Sequence, residues 1–423
     1  MKRIGTALIG MMVLLTARAA LATNGMNLLA DTARADGMGG ACLAVECGAA
    51  CMNQNPAFIG FTRNHQQTFS LQVLDPILSH TDNLGNDTNS IQQIFVMPFY
   101  GMSGPMPGKQ WAWGLGIFTQ GGMGAAYKNL KTPFGTTDET YTKVAYIKLT
   151  PSLAYKFSNQ LAIGLALNVG YSQVGLRVLP NTSNFVAPNS PMNFFGVNMN
   201  NATALGAGYK IGLAYKMDPK TTLGLVYTSA SYLGYSGNIT LDESAIGLGD
   251  VQYKAKMDGF TWPQEVGIGV SHRPNADTLL AADLKWVDWA GAIRTITINA
   301  FNPNNPNAPP TLQLPFVMDW KDQLVFNAGG EWNVGRNFLF RLGYSFGANP
   351  VPSNTVTPLF PAIIEHHLTT GFGFEAGDWH YDFAVEHALG ASEINTNPQS
   401  LFGAGSVERH QQWTFQFTMS RSM

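Results

Sequence analysis

From residue 66 to its end the chain repeats one pattern: runs in which large apolar side chains alternate with small or polar ones. Phe338, Phe340, Leu342, Tyr344 and Phe346 interleave with Leu339, Arg341, Gly343 and Ser345. Leu161, Ile163, Leu165, Leu167, Val169 and Tyr171 interleave with Ala162, Gly164, Ala166, Asn168 and Gly170. A period of two belongs to strands whose faces meet different surroundings. Fourteen such runs can be placed, near 66–75, 92–100, 109–119, 142–157, 160–176, 203–217, 220–233, 261–273, 277–293, 320–332, 336–346, 364–376, 378–388 and 409–420. Their connections alternate. Short turns such as Ser158-Asn159, Asp218-Pro219 and Gly377 follow even-numbered runs, and long Pro-, Asn- and Ser-rich segments (181–202, 234–260, 294–319, 347–363, 389–408) follow odd ones. An even-stranded membrane barrel with tight turns at one rim and long loops at the other produces that alternation. In a soluble sandwich the apolar face would be the core. Here the opposite face is Gly, Ala, Ser and scattered charge, which suits a lumen.

The first 22 residues carry an export signal: Lys2 and Arg3, the apolar run Ile4–Leu15, and the small-x-small site Ala20-Leu21-Ala22. The mature chain is expected to start near Thr23, outside the cytoplasm. No later window holds 18 uninterrupted apolar residues, so helical membrane spans are not expected. Charged residues are only 12% and aromatics 11%, with 45 glycines, whereas a soluble globular chain carries about 25% charged residues. Export, few charges and no apolar helix together predict an all-β, fourteen-stranded antiparallel barrel in the outer membrane of a Gram-negative cell. No basic stretch points to nucleic acid.

Strand number bears on what fills the barrel. About eight strands leave an interior just filled by side chains, and 16–18 leave an open aqueous channel. A fourteen-stranded lumen needs a filling, and residues 23–60 supply one. They hold all three cysteines and the turn-forming Gly-Met-Gly-Gly of 37–40, and they close with Asn55-Pro56. The expected organisation is a signal (1–22), a hatch inside the lumen (23–60) and the barrel (61–423).

At this point the sequence resembles the FadL-type outer-membrane transporters of long-chain fatty acids and aromatic hydrocarbons. The resemblance rests on Asn24-Gly25, the Ala- and Gly-rich segment 35–50, and Asn55-Pro56-Ala57 directly before the first strand. Weaker matches are Trp262-Pro263-Gln264-Glu265, Trp286 with Trp289, Trp320-Lys321-Asp322, and the stretch 341–352. It implies a fourteen-stranded barrel, an N-terminal hatch and passive uptake of hydrophobic molecules. The chain departs from the family in two places. Members commonly end on an aromatic residue, whereas the last aromatic here is Phe417 and the chain ends on Met423. The cysteine cluster is also not a family feature.

Cys42, Cys47 and Cys51 could form one disulfide that staples the hatch and leave one thiol. Their alternative is small buried hydrophobes, and no metal or cofactor is expected. His366 and His367 face opposite sides of a strand and cannot chelate one ion together. No phosphate loop, nucleophile elbow or other hydrolase motif is present. Strand parity points Lys148, Lys210, Lys285 and Arg341 into the lumen, with Glu265, Asp283, Glu331, Glu375, Asp382 and Glu386. These could bind an acidic head group, or pair among themselves and hold the hatch. The expected mechanism is facilitated diffusion. A hydrophobic ligand lands among apolar loop tips (Phe185, Val186, Phe194, Phe195, Phe301, Phe360) and enters a pocket floored by Met26, Leu28, Leu29 and Met38. A sixteen-carbon chain gains on the order of 10 kcal/mol by burial, so no fuel is needed. The expected protein is a monomer that contacts outer-membrane lipids and is not an enzyme. The alternatives are a porin-like channel for small polar solutes and an outer-membrane lipid hydrolase.

Overall fold

A computed structural model describes residues 24–108, 110–188, 190, 192–335 and 337–423. The export signal (1–22) and Thr23 lie outside the described residues. Fourteen strands form the wall. They are β1 (Gln66–Thr81), β2 (Phe95–Pro105), β3 (Trp111–Lys131), β4 (Thr137–Lys156), β5 (Leu161–Asn184), β6 (Phe194–Lys216) and β7 (Thr221–Thr228). The second half adds β8 (Glu265–Asn275), β9 (Thr278–Val287), β10 (Gln323–Gly335), β11 (Phe338–Gly347), β12 (His366–Ala376), β13 (Trp379–Ile394) and β14 (Val407–Ser422). Every neighbouring pair is antiparallel. β1 closes the ring by pairing with β14 from Gln66↔Ser422 to Thr81↔Val407. With that pairing the ring has no free first or last strand, as a membrane barrel requires.

Each expected run corresponds to one wall strand. β3 to β6 are longer than expected: β3 continues to Lys131, and β6 begins at Phe194. Their outer halves carry apolar residues on the inner face (Tyr127, Val144, Tyr146, Val174, Leu176), all buried. Alternation is also shifted in β3 at Thr119/Gly121, where Gln120 opposes no residue, and in β6 opposite Val174/Leu176, where β6 carries one residue more than β5. An inner apolar face combined with a parity shift hides the period-two signal. On the outer face, Leu115, Leu149, Leu153, Leu165, Leu167 and Val169 remain exposed, as a lipid-facing wall demands.

The long connections 234–260 and 294–319 are largely strand. Residues Tyr235–Asp242 pair with the outer half of β6, then with Asp250–Asp258, then Thr295–Phe301, then Thr311–Val317. The wall forks at β6: its inner half pairs with β7, and its outer half continues into this four-stranded extension. The extension turns Ile239, Leu241, Val251, Tyr253, Met257, Ile296 and Ile298 inward, all buried. Thus the outer mouth is roofed by an apolar sheet. Phe194, Phe195 and Phe360 pack against that interior, while Phe185 and Val186 stay exposed.

The chain from Asn24 to Phe61 lies inside the ring. A short helix, α1 (Ala33–Asp36), is capped by Thr32, and α2 (Cys51–Gln54) is followed by a 3-10 turn at Pro56–Phe61. Side chains such as Met26, Met38, Ala49 and Met52 are almost wholly buried although the elements are short. Barrel glycines make this possible. A Cβ at Gly164 would stand 2.3 Å from the Pro56 carbonyl carbon, one at Gly212 2.1 Å from Asn55 Oδ1, and one at Gly224 1.9 Å from the Leu43 oxygen. Across the lumen, Gly329 and Gly343 would meet Met38 and Gly39 backbone at 2.2 and 2.0 Å. At these contacts the lumen wall is glycine, so the hatch sits directly on strand backbone.

Candidate functional site

Asn55, Pro56 and Ala57 act as a joint. Asn55 Oδ1 accepts from Ala57 N at 3.2 Å and starts the 3-10 turn, and its Nδ2 donates to the oxygens of Leu43 and Leu213. One side chain therefore ties two parts of the hatch to β6. Pro56 stands at the first position of the turn, where a missing N–H costs nothing.

Cys47 and Cys51 are joined by a disulfide, and Cys42 is a free, buried thiol. Its Sγ lies 3.1 Å from Gln54 Oε1. Burial pushes the Cys42 thiol up to about 12, so it stays protonated and unreactive in the folded protein. Alkylation without reductant is accordingly expected to add no label to folded protein and one label after denaturation. Three labels on denatured, unreduced protein would contradict the pairing.

Lumen charges divide into two groups. Arg34 of α1 donates through Nε and Nη2 to both oxygens of Glu331, each at 2.8 Å. Arg341 Nε shares Glu331 at 2.8 Å, and its Nη1 lies 2.8 Å from Asp382, which also holds His380 Nε2 at 2.9 Å. Glu386 holds His367 at 2.8 Å, and Glu375 stands at the exposed rim. Arg341 is wholly buried. Removing it leaves Glu331 to Arg34 and Asp382 to His380, a change that costs about 3 kcal/mol, the low end for breaking a buried ion pair. Arg341→Met is expected to lower barrel stability to urea by that order in lipid vesicles. Adding Glu331→Gln should restore part of the loss, and additive losses would contradict the shared network.

The second group is Lys148, Lys210 and Lys285. Ion pairs among the described residues leave all three out. Nearby carboxylates are occupied by amides. Asp31 accepts from Asn53 Nδ2 at 2.9 Å, Asp283 from the Cys42 and Leu43 N–H groups at 2.7 and 3.0 Å, and Glu265 from Asn27 Nδ2 at 2.8 Å. Lys210 donates to the Asn53 carbonyl. A cavity of about 60 Å3 lies between these groups, lined by Leu28, Leu29, Lys210, Lys285, Glu265 and Val287 among others.

Directly against Leu28 lies the apolar interior of the outer half. Its centre is a chain of rings: Tyr146–Trp262 at 4.9 Å, Trp262–Trp289 at 6.4 Å and Trp289–Trp320 at 5.2 Å. Met26 is buried in the same cluster. Gly25 passes so close to Trp289 that a Cβ would stand 2.5 Å from the ring. Trp262 donates to Asn27 and Trp289 to Gln323, while the Trp320 Nε1 is buried with no hydrogen-bond partner among the described residues. Met26 and Leu28 pack in this cluster, and Leu28 and Leu29 both line the small cavity beside it. Met38 is elsewhere, with Ala41, Val45, Leu279 and Ala281, and borders a cavity of about 700 Å3 that faces the short-turn rim. Sequence reasoning saw Trp262 and Trp320 as strand openings and Trp289 as a strand residue. Their clustering depends on where segments 234–264 and 289–322 fold, and the alternation of Val251, Tyr253, Ala255 and Met257 within them does not say which strand they join.

One place in the wall is interrupted. β2 pairs with β3 from Pro105↔Ala112 up to Phe99↔Phe118 and no further. Above that point Thr119 Oγ1 reaches the Pro98 oxygen at 2.9 Å, and pairing resumes only where Ile91 N meets the Ala126 oxygen at 2.8 Å. The cause is the extra residue Gln120 in β3, since Thr119 opposes Ile147 and Gly121 already opposes Tyr146. The hatch occupies the bend: Gly122 N donates to Met26 O at 3.2 Å, and Asn27 bridges Gly121. Phe95, Met97, Met123 and Tyr127 line the interruption inside, and Ile94 and Val96 are exposed outside. Apolar surface is therefore continuous from the ring cluster through the wall.

A family described as outer membrane protein transport protein (OMPP1/FadL/TodX) matches residues 13–420. Among solved structures, the P. putida toluene transporter TodX aligns with TM-score 0.78 and 18% identity, covering 94% of this chain and 99% of its own. The Ralstonia pickettii toluene transporter TbuX gives 0.76 and 19%, again with 94% and 99% coverage. A Pseudomonas aeruginosa FadL homologue gives 0.77 and 15% with the same coverage. At these identities the likeness is one of fold. No curated protein sequence matches significantly.

Proposed function

Because the chain belongs to the OMPP1/FadL/TodX family of outer-membrane transport proteins, we propose that it admits hydrophobic small molecules passively, aromatic hydrocarbons or long-chain fatty acids, through the wall interruption between β2 and β3. The protein is a multi-pass outer-membrane barrel. The relatives named for toluene transport support the aromatic class. The observation that carries the proposal is the contiguity of the ring cluster, the Met26–Leu28 hatch segment and the bend at Gln120. A ligand enters under the apolar roof and packs against Trp262 and Trp289. It leaves sideways when the Gly25–Asn27 segment shifts. Each buried CH2 contributes about 0.8 kcal/mol, and the bilayer core beyond the wall offers the same environment, so no energy source is required. Residues 23–60 act as the hatch, residues 61–423 as the barrel, and no chemical step is assigned. Closure of the ring by β1 and β14 supports a monomer surrounded by lipid.

A second reading is favoured by the three lysines. Lys210 and Lys285 line the small cavity below the apolar compartment, with Lys148 near by, and no carboxylate among the described residues lies within ion-pair distance of them, an arrangement that suits the acid head of an amphipathic ligand whose tail lies among the tryptophans. Competition of a long-chain carboxylate against its methyl ester separates the two classes.

The pocket is tested at Leu28. Leu28→Asp places a carboxylate against apolar ligand, a penalty of several kcal/mol, whereas Leu28→Ala removes a few half-buried CH2 groups, roughly 1–3 kcal/mol. Uptake of a labelled hydrophobic solute should fall far more for Asp than for Ala at equal outer-membrane abundance. Normal uptake by a correctly inserted Asp variant would eliminate this pocket.

A further inference from the structure

Asp36, the last residue of α1, is wholly buried, and neither of its carboxyl oxygens has a hydrogen-bond partner among the described residues. Other buried acids of the lumen are held: Asp31 by Asn53 and Gln54, Asp283 by two backbone N–H groups, Glu331 by Arg34 and Arg341. Asp36 is kept in place by the backbone on either side of it. Ala33 N donates to Thr418 Oγ1 of β14 at 2.8 Å, and Gly39 N donates to Thr369 Oγ1 of β12 at 3.0 Å. Between those bonds Gly37 passes the wall so closely that a Cβ on it would stand 3.1 Å from Gly371 Cα. Gly371 is paired with Ala384 of β13, and Thr369 with Glu386, the next inward position. The Asp36 carboxyl is thereby held beside that of Glu386, close enough to feel its charge.

Three strands pack against α1, and their inward charges are already committed. On β12, His367 is bonded to Glu386 at 2.8 Å, and Glu375 stands at the rim beside His380. On β13, Asp382 is held by Arg341 and His380, and Glu386 keeps one oxygen without a partner among the described residues. On β14, Glu408 is held by His80, and His410 Nδ1 donates to the Pro361 oxygen at 2.9 Å. Arg34, on α1 itself, turns to Glu331. A carboxylate buried without a counter-charge is costly and takes up a proton instead. Burial first, and Glu386 second, push the Asp36 acid well above the usual carboxylate range.

We propose that Asp36 is a proton-dependent latch of the hatch, holding α1 on β12, β13 and β14 while it carries its proton and releasing the helix when it loses it. The latch rests on the reading of residues 23–60 as the seal of the lumen. Ionised Asp36 puts a second negative charge beside Glu386 with no cation to answer it. α1 forms one side of the 700 Å3 cavity at the short-turn rim, through Thr32, Arg34 and Ala35, so its release joins that cavity to the lumen above. The direction with pH follows from linkage. The docked hatch keeps a proton that a solvated aspartate gives up. Docking is therefore strongest below the ordinary aspartate range. It weakens by up to tenfold per pH unit as pH rises, until the docked acid itself ionises.

The test is single-channel recording of the full-length barrel in planar bilayers from about pH 5 to about pH 8. The open fraction of the unaltered protein should rise with pH, by up to tenfold per unit. Asp36→Asn keeps the shape of the protonated acid and cannot ionise, so its open fraction should be lower and flat over the same range. If Asp36→Asn fails the heat-modifiability check for folding, Asp36→Ala replaces it with the same flat profile expected. Gly343→Val separates the latch from the seal, because its side chain would displace the Gly39 turn at any pH. It should be open throughout. A closed Gly343→Val would remove the seal and the latch with it. An open Gly343→Val beside a flat unaltered protein, or beside a pH slope that the Asp36 variant retains, would overturn the latch and leave the seal standing.

Discussion

Gly343→Val is expected to turn a closed barrel into a leaking one. A Cβ at this position would stand 2.0 Å from Gly39 N and 2.2 Å from the Met38 carbonyl carbon. Both are backbone atoms, so no rotamer change relieves the clash, and valine adds two further methyl groups. The obstructed turn is held by Gly39 N donating to Thr369 Oγ1 at 3.0 Å, and that bond is lost when the turn retreats. β11 itself keeps its pairs Gly329↔Gly343 and Gly343↔Thr369, because extended backbone accepts valine readily. The barrel should therefore assemble and remain heat-modifiable, while conductance in planar bilayers rises roughly tenfold or more, since a ring this wide is open once its filling moves. Gly234→Val is the control: nothing lies within 4 Å of its Cβ position. Unchanged conductance in Gly343→Val would mean that the hatch does not seal the lumen.

The same glycines show how far the sequence carries the fold. All fourteen strands are visible as period-two runs, because lipid on one side and lumen on the other impose the period wherever the wall is plain. The signal fades where lumen contents become apolar. Tyr127, Val144, Val174 and Leu176 face inward beneath the roof, so β3 to β5 carry large residues on both faces there. Segments 235–258 and 295–317 read as loops because Gly, Asn and Pro interrupt them. They become strands by adding to the outer half of β6, a tertiary event.

Legibility of the site is mixed in the same way. Met26, Leu28 and Leu29 stand out as apolar residues in a segment without periodicity; Met26 and Leu28 pack on the ring cluster, and Leu28 and Leu29 line the small cavity beside it. Met38 stands out equally, yet it turns toward Leu279 and Ala281 because the Gly37–Gly40 turn reverses the chain. The charged network also follows strand parity. Arg341, Glu331 and Asp382 all point inward as counted, but their division from the three lysines depends on Arg34, a hatch residue whose orientation only α1 defines. Parity finds which residues share a lumen, and the hatch decides which of them touch.

The wall interruption is the most direct point of test, because its cause is a single residue. Gln120 is the one position of β3 between Thr119 and Gly121 that opposes no residue of β4. Phe118 faces inward before it, and Met123, Ala125 and Tyr127 face inward after it. Deleting Gln120 leaves that alternation consistent, so every other side chain keeps its face and the bend straightens. β3 can then pair with Phe95–Pro98 and close the apolar path. The decisive measurement is the initial rate of uptake of a labelled hydrophobic solute by the Gln120 deletion, at equal outer-membrane abundance and with bilayer conductance followed in parallel. Lateral passage predicts a fall of roughly tenfold or more with a barrel still sealed to ions. Uptake at the unaltered rate from a folded, sealed barrel would contradict lateral passage and place the route through the hatch.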